Sequence, residues 1–436
     1  MTASNGNKSE PYEEVENWPP YTYTEYPEVT PENMKAFTEF LNTENEVGLK
    51  MELQPWVSFC DSKCSFCYFP NESFSKSLTK PYVNALKKEL GMYAKTRYIK
   101  TSIFDEVVLG GGSPTVLEAD QLVEILEFCK DNFNLTDDVM VKVAGCTHNL
   151  TVEKLQAISD FANRVDARCT QIDIGVQSFD DKIRKILNIV DSAEEASEVI
   201  KTVRDMGIYA CIDLMYNLPG ETMETVKKDV ETAMELRPEG IDYYALSIHP
   251  DTPLQKQVNS GKVPDLADAD TEKAMYLEAY ELFKQGGYKP TGHSRFSYVQ
   301  EHFTESCVAG WPWAGQLTTG SGCFMGYLGP FSYLNIEPAR AYIDFVSKGA
   351  FPIAKLSVDS KEDTMRKVMT RLYVRQPVDK IKFKKEFGMT PEEAFPGAIE
   401  RLVSKGLLEV DDKEIRVTEK GDLWRYNIVW EFCEKQ

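Results

Sequence analysis

Short apolar runs alternate with amphipathic segments from about residue 50 to residue 300 of the chain. The apolar runs have the length of strands, and a helical pattern separates most of them. This alternation is typical of parallel βα units, so we predict an α/β fold, a partial (β/α)6 parallel barrel. An open doubly wound sheet is the alternative. The predicted strands are Met51–Phe59, Asp105–Leu109, Asp138–Gly145, Thr170–Gln177, Ile208–Tyr216 and Ile241–Ile248.

Helices are predicted in the intervals between these strands. Both folds bring the C-terminal ends of the strands together, and ligands bind at that edge. Motifs that directly follow a strand are therefore the candidates for chemistry. The predicted helices are Tyr82–Ala94, Ala119–Phe133, Thr151–Asn163 with Thr151 as N-cap, Asp180–Leu187, Ser192–Met206 and Met223–Leu236.

Three further regions flank the predicted barrel at residues 46–300. Residues 1–45 form an arm rich in Pro, Glu and Tyr, with a helix at Pro31–Asn42 capped by Thr30. Residues 301–359 form an aromatic and Gly-rich connection at the barrel mouth, after a strand within Tyr288–Phe296 that would cross the mouth. Residues 360–436 indicate a winged-helix-like α+β module. Its predicted elements are helices at Lys361–Tyr373, Ile381–Phe387 and Pro396–Lys405, a hairpin formed by 406–410 and 415–418, and a last helix from Asp422.

Composition narrows the class of protein. The 436 residues suggest one large domain with additions, and 42% apolar residues can build a sizeable core. A net charge of −20 argues against nucleic-acid binding. No apolar run reaches about 18 residues, and residues 1–17 are too polar for a secretory signal. Ten cysteines, most of them in apolar stretches, favour a reducing, cytoplasmic location, with Cys129, Cys169 and Cys211 as small buried side chains.

Three of the cysteines form a closely spaced group, Cys60, Cys64 and Cys67. Three thiolates can hold three irons of a [4Fe–4S] cluster and leave the fourth iron open to a small molecule. A structural zinc site is an alternative, but it would need a fourth Cys or His ligand close by. The first Cys or His after Cys67 is Cys129, far along the chain. Chance clustering is the other alternative.

Glycines and polar residues follow three predicted strands. Gly110–Gly112 and Ser113 follow the second strand, where glycines let a backbone approach a ligand and expose N–H groups to its anionic part. A tight turn is the other interpretation. Gln177 and Asp213 end two later strands and would point to the barrel mouth, or else satisfy a loop backbone.

Aromatic and basic residues in later loops are candidates for the substrate site. Trp311 and Trp313 suit a flat, apolar ligand, although loop packing explains them equally well. His293 and Arg295 could bind a heme iron and pair with a propionate, respectively, but a lone His more often satisfies a local hydrogen bond. Cys323 could be an extra thiol near the substrate or a small buried side chain.

The spacing Cys-x3-Cys-x2-Cys, with Phe66 before the last cysteine, resembles the signature of the radical S-adenosylmethionine (SAM) enzymes. The resemblance implies that the three cysteines hold a [4Fe–4S] cluster and that its open iron chelates SAM. Reductive cleavage of SAM would then give a 5′-deoxyadenosyl radical. It also implies that Phe66 lies at the cofactor and that a low-potential donor of the flavodoxin or ferredoxin type supplies the electron.

The stretches 175–180, 213–220, 244–246 and 250–254 resemble one branch of this superfamily. The branch contains oxygen-independent coproporphyrinogen III oxidase, the anaerobic heme-utilisation enzymes and the class C methyltransferases. The resemblance runs from about residue 50 to the end of the chain. It implies that some residues contact the cluster-bound SAM and that others lie near a second SAM molecule. The first set is Gln177, Asp213 and Met215, and the second is Gly111, Gly112, Ser113 and Ala245.

The chain departs from the branch at several positions. A Glu expected on the third strand falls at Ala144, and an Arg expected after the fourth strand falls at Ile189. In relatives both touch the cluster-bound SAM. Because both charges are missing, no buried charge is left without its partner at these positions. The usual Tyr-x-His-x-Pro-Phe-Cys is replaced by the sequence of residues 54–60.

The resemblance implies a cytoplasmic radical SAM enzyme acting on a tetrapyrrole. Heme methylation with ring opening is the leading activity. The alternatives are class C methylation or cyclopropanation of another conjugated ring, coproporphyrinogen III dehydrogenation, and a non-catalytic heme chaperone. The missing charges at Ala144 and Ile189 favour the chaperone, whereas the cysteine triad and Asp213 favour an enzyme.

Overall fold

The computed structural model describes residues 10–12, 15–16, 27–45, 50–299, 315–323 and 326–433. Two compact units are present. The larger spans Tyr26–Asp359, and the smaller comprises the chain from Ser360 onward together with the described part of the first 25 residues.

The larger unit is built on a twelve-stranded mixed sheet. Its central strands β1, β4, β5, β6, β7 and β8 are mutually parallel and adjacent in that order, which confirms the predicted α/β parallel architecture. The strands of this unit are β1 Lys50–Val57, β2 Phe59–Cys60, β3 Glu72–Ser73, β4 Ile103–Gly111, β5 Leu135–Cys146, β6 Cys169–Gln177, β7 Tyr209–Tyr216, β8 Gly240–Ala245, β9 Lys289–Thr291, β10 Arg295–Ser297, β11 Gly315–Thr319, β12 Gly326–Leu328, β13 Phe331–Asn335 and β14 Ile353–Val358.

Helices follow the parallel strands as the βα pattern requires. The predicted caps are confirmed: the hydroxyls of Thr30 and Thr151 accept hydrogen bonds from the N–H groups of Asn33 and Lys154. The helices of this unit are α1 Pro31–Leu41, α2 Lys76–Tyr93, α3 Arg97–Lys100, α4 Ala119–Asn132, α5 Val152–Arg164, α6 Asp181–Ile186, α7 Ala193–Asp205, α8 Met223–Leu236, α9 Pro253–Asn259, α10 Ala269–Gln285 and α11 Ala339–Ser347.

The sheet is longer at both edges than the sequence pattern predicts. Tyr288–Phe296 is not one strand across the mouth, because it folds into β9 and β10, a hairpin whose second strand pairs antiparallel with β8. Residues 315–358 contain four strands and a helix instead of loops alone, and β11 pairs parallel with β1. The last parallel strand ends at Ala245, before the predicted Ile248. These errors concern strands of three to six residues, which are too short for alternation to be recognised.

Paired charges lie among the apolar positions of the sheet. Glu106 on β4 is buried and its Oε2 atom lies 2.7 Å from the Nζ atom of Lys142 on β5. Asp173, Asp242 and Arg295 form a second group on β6, β8 and β10. Buried charges of this kind are stable only when they are paired.

The smaller unit contains helices and a three-stranded antiparallel sheet. The predicted hairpin is confirmed, and a third strand joins it at Val378–Asp379. The Asp422 carboxylate forms ion pairs with two arginines. Arg375 Nε lies 2.7 Å from its Oδ1 atom, and Arg425 Nη1 lies 3.0 Å from its Oδ2 atom. The elements are α12 Lys361–Met369, β15 Val378–Asp379, α13 Lys380–Phe387, α14 Pro391–Ala394, α15 Ala398–Ser404, β16 Leu408–Val410, β17 Glu414–Val417 and α16 Arg425–Trp430.

Within the described ranges, no helix combines the length and the apolar character that a membrane crossing requires.

Candidate functional site

The cysteine loop, residues 60–71, is held by its backbone to three other segments. Cys60 ends β2, which pairs with β3 on the far side of the loop. In the middle of the loop, the Ser65 N–H donates to the carbonyl oxygen of Leu187 at 2.8 Å. The Ser65 carbonyl accepts from the Leu254 N–H at 2.8 Å, and the Asn188 side chain donates to the Lys63 carbonyl at 2.8 Å. The cysteines therefore stand on a loop that is fixed by β3, by the residues that follow α6 and by the start of α9.

An apolar cluster supports this loop. Its buried members come from α6, the end of β7 and the segment after β8, and they include Met215 and Leu187. Phe66, between the second and third cysteines, packs against this cluster, as does Ile189. Two of the predicted cofactor residues, Phe66 and Met215, are thus brought together. Ile189, where a basic residue was expected, is part of the same apolar packing.

The end of β4 passes directly beneath the loop, and only glycine fits there. Gly111 has φ +126°, and a Cβ atom on it would lie 2.3 Å from the carbonyl oxygen of Val57. A Cβ atom on Gly112 would lie 2.8 Å from the Sγ atom of Cys60. The predicted exposure of N–H groups to a ligand is wrong for Gly112 and Ser113, whose N–H groups donate to Val57 and Phe59 at 2.8 Å each. The glycines instead allow close packing, of Gly111 against the Val57 backbone and of Gly112 against Cys60.

The three thiols disfavour ionisation in the metal-free protein. Burial raises the pKa of Cys60, and neighbouring thiols raise it further. Burial and the neighbouring thiols likewise raise the pKa of Cys64 to about 12. Burial also raises the pKa of Cys67, although the Asn71 amide, 3.3 Å from its sulfur, opposes the shift. Crowded thiols of this kind are stabilised as thiolates by the positive charge of a bound metal.

Three thiols on one loop are a donor set for an iron–sulfur cluster. In a [4Fe–4S] cluster each thiolate binds a different iron, so the sulfurs need not converge on a point. Cys60, Cys64 and Cys67 are three partly buried thiols on one anchored loop, so each could bind a different iron of the cluster.

The residue at the end of β6 has a strained backbone. Gln177 has φ +68°, which is uncommon for a residue with a side chain. The adjacent turn is fixed by Arg184, to which the sequence analysis assigned no role. Its buried guanidinium donates to the carbonyl oxygens of Val176 and Ser178 at 2.8 and 3.0 Å, and to the Asp191 carboxylate at 2.9 Å. Strain held in place by such a network is common at functional sites.

Asp213 lies among charges inside the sheet. It stands opposite Asp242 and Gly175 in the pairing of β7 with its neighbours. Burial raises its pKa well above the usual value, Asp242 and Asp173 raise it further, and Arg295 opposes the shift. The Arg295 guanidinium is bonded to Asp242, with Nε 2.7 Å from Oδ1, and it lies 3.9 Å from Asp173. Arg295, predicted as a propionate partner, is therefore engaged in an ion pair between strands.

The other predicted residues occupy separate positions. Ala245 ends β8 opposite Tyr216, and Ala144 on β5 stands opposite Asp173. His293 lies in the turn between β9 and β10, where its ring centroid is 6.2 Å from that of Tyr244. Cys323 is fully buried, and its sulfur lies 3.8 Å from the Thr318 carbonyl oxygen. Trp311 and Trp313 lie outside the described residues.

A further group of polar residues reaches the cysteine loop from the end of β5. His148 Nε2 lies 2.9 Å from Asp61 Oδ1, and the Asn149 amide lies 3.4 Å from the Ser113 hydroxyl. Cys146, the last residue of β5, directly precedes this turn. Sequence reasoning missed these residues. The available signal was a Cys and a His two residues apart, directly after the strand in which the expected Glu is missing.

Comparison with known proteins agrees with this architecture. A model of the radical SAM superfamily matches residues 55–233, which include the cysteine loop, and a model of the HemN C-terminal domain matches residues 358–424. The chain therefore contains a radical SAM domain, followed by a HemN C-terminal domain. Members of this superfamily use a [4Fe–4S] cluster and SAM, and the cysteine loop of this radical SAM protein has the donor set for the cluster.

Several curated proteins are similar over most of the chain. Anaerobilin synthase of Escherichia coli O157:H7 is 25% identical over 86% of this chain and 81% of its own length. The heme chaperone HemW of Bacillus subtilis is 24% identical over 84% of this chain and 95% of its own. Oxygen-independent coproporphyrinogen III oxidase of Helicobacter pylori strain 26695 is 24% identical over 94% and 93%.

Among solved structures, coproporphyrinogen III oxidase (HemN) from Escherichia coli is similar across nearly the whole chain. The TM-score is 0.81 at 20% identity, and the match covers 98% of this chain and 97% of the other. At this identity the likeness establishes the fold of this radical SAM protein.

Proposed function

We propose that this protein holds a [4Fe–4S] cluster on Cys60, Cys64 and Cys67 and uses SAM to methylate heme and open its ring. The observation that carries the proposal is the anchored loop of three thiols, with Gly112 packed against Cys60. The similarity to anaerobilin synthase over 86% of the chain supports the heme-directed activity.

The loaded cluster would supply an electron to SAM, and a low-potential donor protein would replace that electron. The residues of the chain have supporting tasks. Asn71 donates a hydrogen bond to the Cys67 sulfur, and such bonds set the potential of a cluster. Phe66 and Met215 form an apolar surface beside the loop, which excludes water. Gln177 and Asp213, at and near the ends of β6 and β7, are the polar groups that we assign to SAM.

The tetrapyrrole would lie at the carboxyl ends of the strands, where parallel α/β sheets bind ligands. His293 lies in the turn between β9 and β10, with its ring centroid 6.2 Å from that of Tyr244 on β8. We assign His293 to the substrate on this ground, and we keep Trp311, Trp313 and Cys323 as candidates from the sequence.

A heme chaperone is the second candidate function. Ala144 and Ile189 stand where two charged SAM contacts were expected, and Ile189 packs against apolar neighbours. A protein that only carries heme would not need those contacts. The similarity to the heme chaperone HemW over 84% of the chain also supports this candidate.

An anaerobic turnover assay separates these functions. The cluster is reconstituted, SAM, heme and dithionite are added, and products are followed by mass spectrometry. We expect 5′-deoxyadenosine, S-adenosylhomocysteine and an open-chain tetrapyrrole that has gained a methyl group. The Cys64→Ala variant should form none of these, whereas Cys169→Ala, at the opposite end of the parallel strands, should match the wild type.

Other outcomes redirect the proposal. Formation of 5′-deoxyadenosine with unchanged heme would keep the enzyme and overturn the substrate. Absence of 5′-deoxyadenosine from protein with a full cluster, together with a Soret shift on heme titration, would select the chaperone. A full cluster with neither a Soret shift nor a heme product would exclude heme as the ligand.

A further inference from the structure

Three exposed lysines lie on the cysteine loop and on the helix that is bonded to it. Lys63 directly precedes Cys64, and Lys182 and Lys185 lie on α6. Residues three apart on a helix share a face, so Lys182 and Lys185 project to the same side. The net charge of the chain is −20, so three exposed cations beside the cysteines form a local reversal of charge.

Hydrogen bonds join the segments that carry these lysines. The Asn188 side chain donates to the Lys63 carbonyl oxygen at 2.8 Å, and the Asn188 N–H donates to the Lys185 carbonyl oxygen at 3.3 Å. The Ser65 hydroxyl donates to the Ile186 carbonyl oxygen at 3.0 Å. One residue thus bridges the backbones of two of the lysines, and all three belong to one continuous part of the surface.

The carboxylates next to the lysines in sequence are engaged in other contacts. Asp61 is bonded to His148 at 2.9 Å. Asp180 accepts hydrogen bonds from N–H groups at the start of α6, and Asp181 accepts one from the Ala193 N–H at 2.8 Å. Within the part of the chain that the structure describes, none of these carboxylates forms an ion pair with Lys63, Lys182 or Lys185. The lysine side chains therefore keep their charges available to a partner.

Two exposed apolar side chains accompany the lysines. Val190, the second residue after Asn188, is 62% exposed, and Tyr68, directly after Cys67, is 39% exposed. Surfaces that bind a partner and release it combine apolar contacts with charged side chains in this way. We therefore looked for a partner that must approach the cysteine loop.

We propose that Lys63, Lys182 and Lys185 form the docking surface for the low-potential electron donor, and that this donor is an acidic protein. The proposal rests on the [4Fe–4S] cluster of the proposed function, but not on heme as the substrate. One electron leaves the donor and enters the cluster, and no bond forms or breaks. The donor must bring its redox group close to the cluster, and this surface includes the backbone that carries Cys64.

The charge of the chain favours an acidic donor over a basic one. A basic protein would be attracted to the acidic surface of the chain at many places and would not be directed to the cluster. An acidic protein is repelled by most of the surface and attracted by the lysine group. Such a local patch orients the partner and raises the rate of association, and salt weakens the effect.

The test follows reduction of the cluster in the full-length protein, reconstituted anaerobically without SAM or heme. Two reductants are compared: an acidic flavodoxin in its hydroquinone form, and photoreduced 5-deazariboflavin, which is small and uncharged. The variants are Lys63→Glu and the double variant Lys182→Glu/Lys185→Glu, whose changes lie outside the cysteine loop. We expect each to slow reduction by flavodoxin about tenfold at low salt. Reduction by 5-deazariboflavin should proceed as in wild type.

Two controls accompany these variants. Lys182→Arg/Lys185→Arg keeps the charges and should keep the wild-type rate with flavodoxin. Lys289→Glu changes an exposed lysine on β9, opposite Ser297, which in turn pairs with Gly240 at the start of β8. This position lies at the opposite end of the parallel strands from the cysteine loop, so the variant should also behave as wild type. The wild-type rate with flavodoxin should fall as salt is added, and the Glu variants should lose most of this dependence.

Several results would overturn the inference. Wild-type rates with flavodoxin in both Glu variants, at equal iron content, would exclude the docking surface and leave the cluster in place. Slower reduction by 5-deazariboflavin as well would show that the lysines act on the cluster itself. A wild-type cluster that accepts electrons from 5-deazariboflavin but not from flavodoxin would exclude the acidic donor. Failure of the wild type to assemble a cluster would overturn both this inference and the proposed function.

Discussion

The imidazole of His148 is bonded to the carboxylate of Asp61, with 2.9 Å between Nε2 and Oδ1. The contact joins the turn after β5 to the residue that follows the first cluster cysteine. It sets the distance between two segments that are 87 residues apart in the sequence.

The first prediction concerns this pair. Burial raises the pKa of Asp61, but the hydrogen bond and charge of His148 outweigh it, so the pKa is lowered. A lowered carboxyl pKa contributes stability above the unfolded-state value of about 3.9, and this stability is lost as pH falls through the folded-state value. In Asp61→Asn the midpoint of thermal unfolding should therefore fall less steeply than in wild type as the pH is lowered. Asp205→Asn, at an exposed site, should retain the wild-type slope, and equal slopes in all three proteins would contradict the prediction.

The second prediction concerns the glycine beneath Cys60. In Gly112→Ala the new Cβ atom would meet the Cys60 sulfur at 2.8 Å and the Phe59 carbonyl oxygen at 2.7 Å. Either the cysteine loop or β4 must move, so we expect most of the reconstituted iron to be lost, at a cost in stability of about 1–3 kcal/mol.

Gly91→Ala is the matched control. Gly91 lies within α2, and its Cβ atom would make only an ordinary 3.4 Å contact with Phe128 on α4. It should bind iron as wild type does. Full iron content in Gly112→Ala would mean that close packing at Cys60 is not required.

The third prediction concerns Glu89, a fully buried carboxyl. It accepts hydrogen bonds from the Gly320 N–H at 2.8 Å, Asn335 at 2.7 Å and Tyr342 at 2.6 Å. Burial nevertheless raises its pKa to about 7. The folded state therefore holds the proton more tightly, and stability falls as pH rises from the unfolded-state value of about 4.3 through about 7.

The measurement is the midpoint of thermal unfolding between pH 5 and pH 8. Wild type should lose stability over this range, by an amount on the order of 3 kcal/mol in free energy of unfolding. Glu89→Gln cannot ionise and should lack this slope, even if it is less stable overall. Glu39→Gln, on the exposed face of α1, should keep it, and a slope in Glu89→Gln as steep as in wild type would disprove the assignment.

The fourth prediction decides the role of Arg295. Its guanidinium is paired with Asp242 and lies near Asp173 and Asp213. Arg295→Gln leaves these carboxylates without their cation and should cost about 3–5 kcal/mol of stability. The double variant with Asp242→Asn should recover part of that loss.

Anaerobic heme titration of folded Arg295→Gln then tests the propionate role. Because the guanidinium is already engaged, we expect little change in the dissociation constant for heme. A large loss of affinity in a variant that is still folded would support a direct contact with the propionate.

The predicted α/β core was confirmed because its signals are local. Apolar strands and amphipathic helices of ordinary length fix where each element begins and ends, as Met223–Leu236 and the Thr151 cap illustrate. The strands β11 to β14 were missed, and β9 and β10 were predicted as one strand, because these strands are short and form hydrogen bonds with distant partners.

The sequence by itself determined the three-cysteine group, its superfamily and the parallel order of the central strands, because spacing and periodicity are properties of neighbouring residues. Tertiary structure alone decided that Gly112 packs against Cys60, that Arg295 is paired with Asp242 across strands, and that His148 and Asp61 meet at the cysteine loop. These contacts join residues far apart in sequence, and only the pairing of β4 with β1, of β5 with β4 and of β10 with β8 brings them within reach of one another.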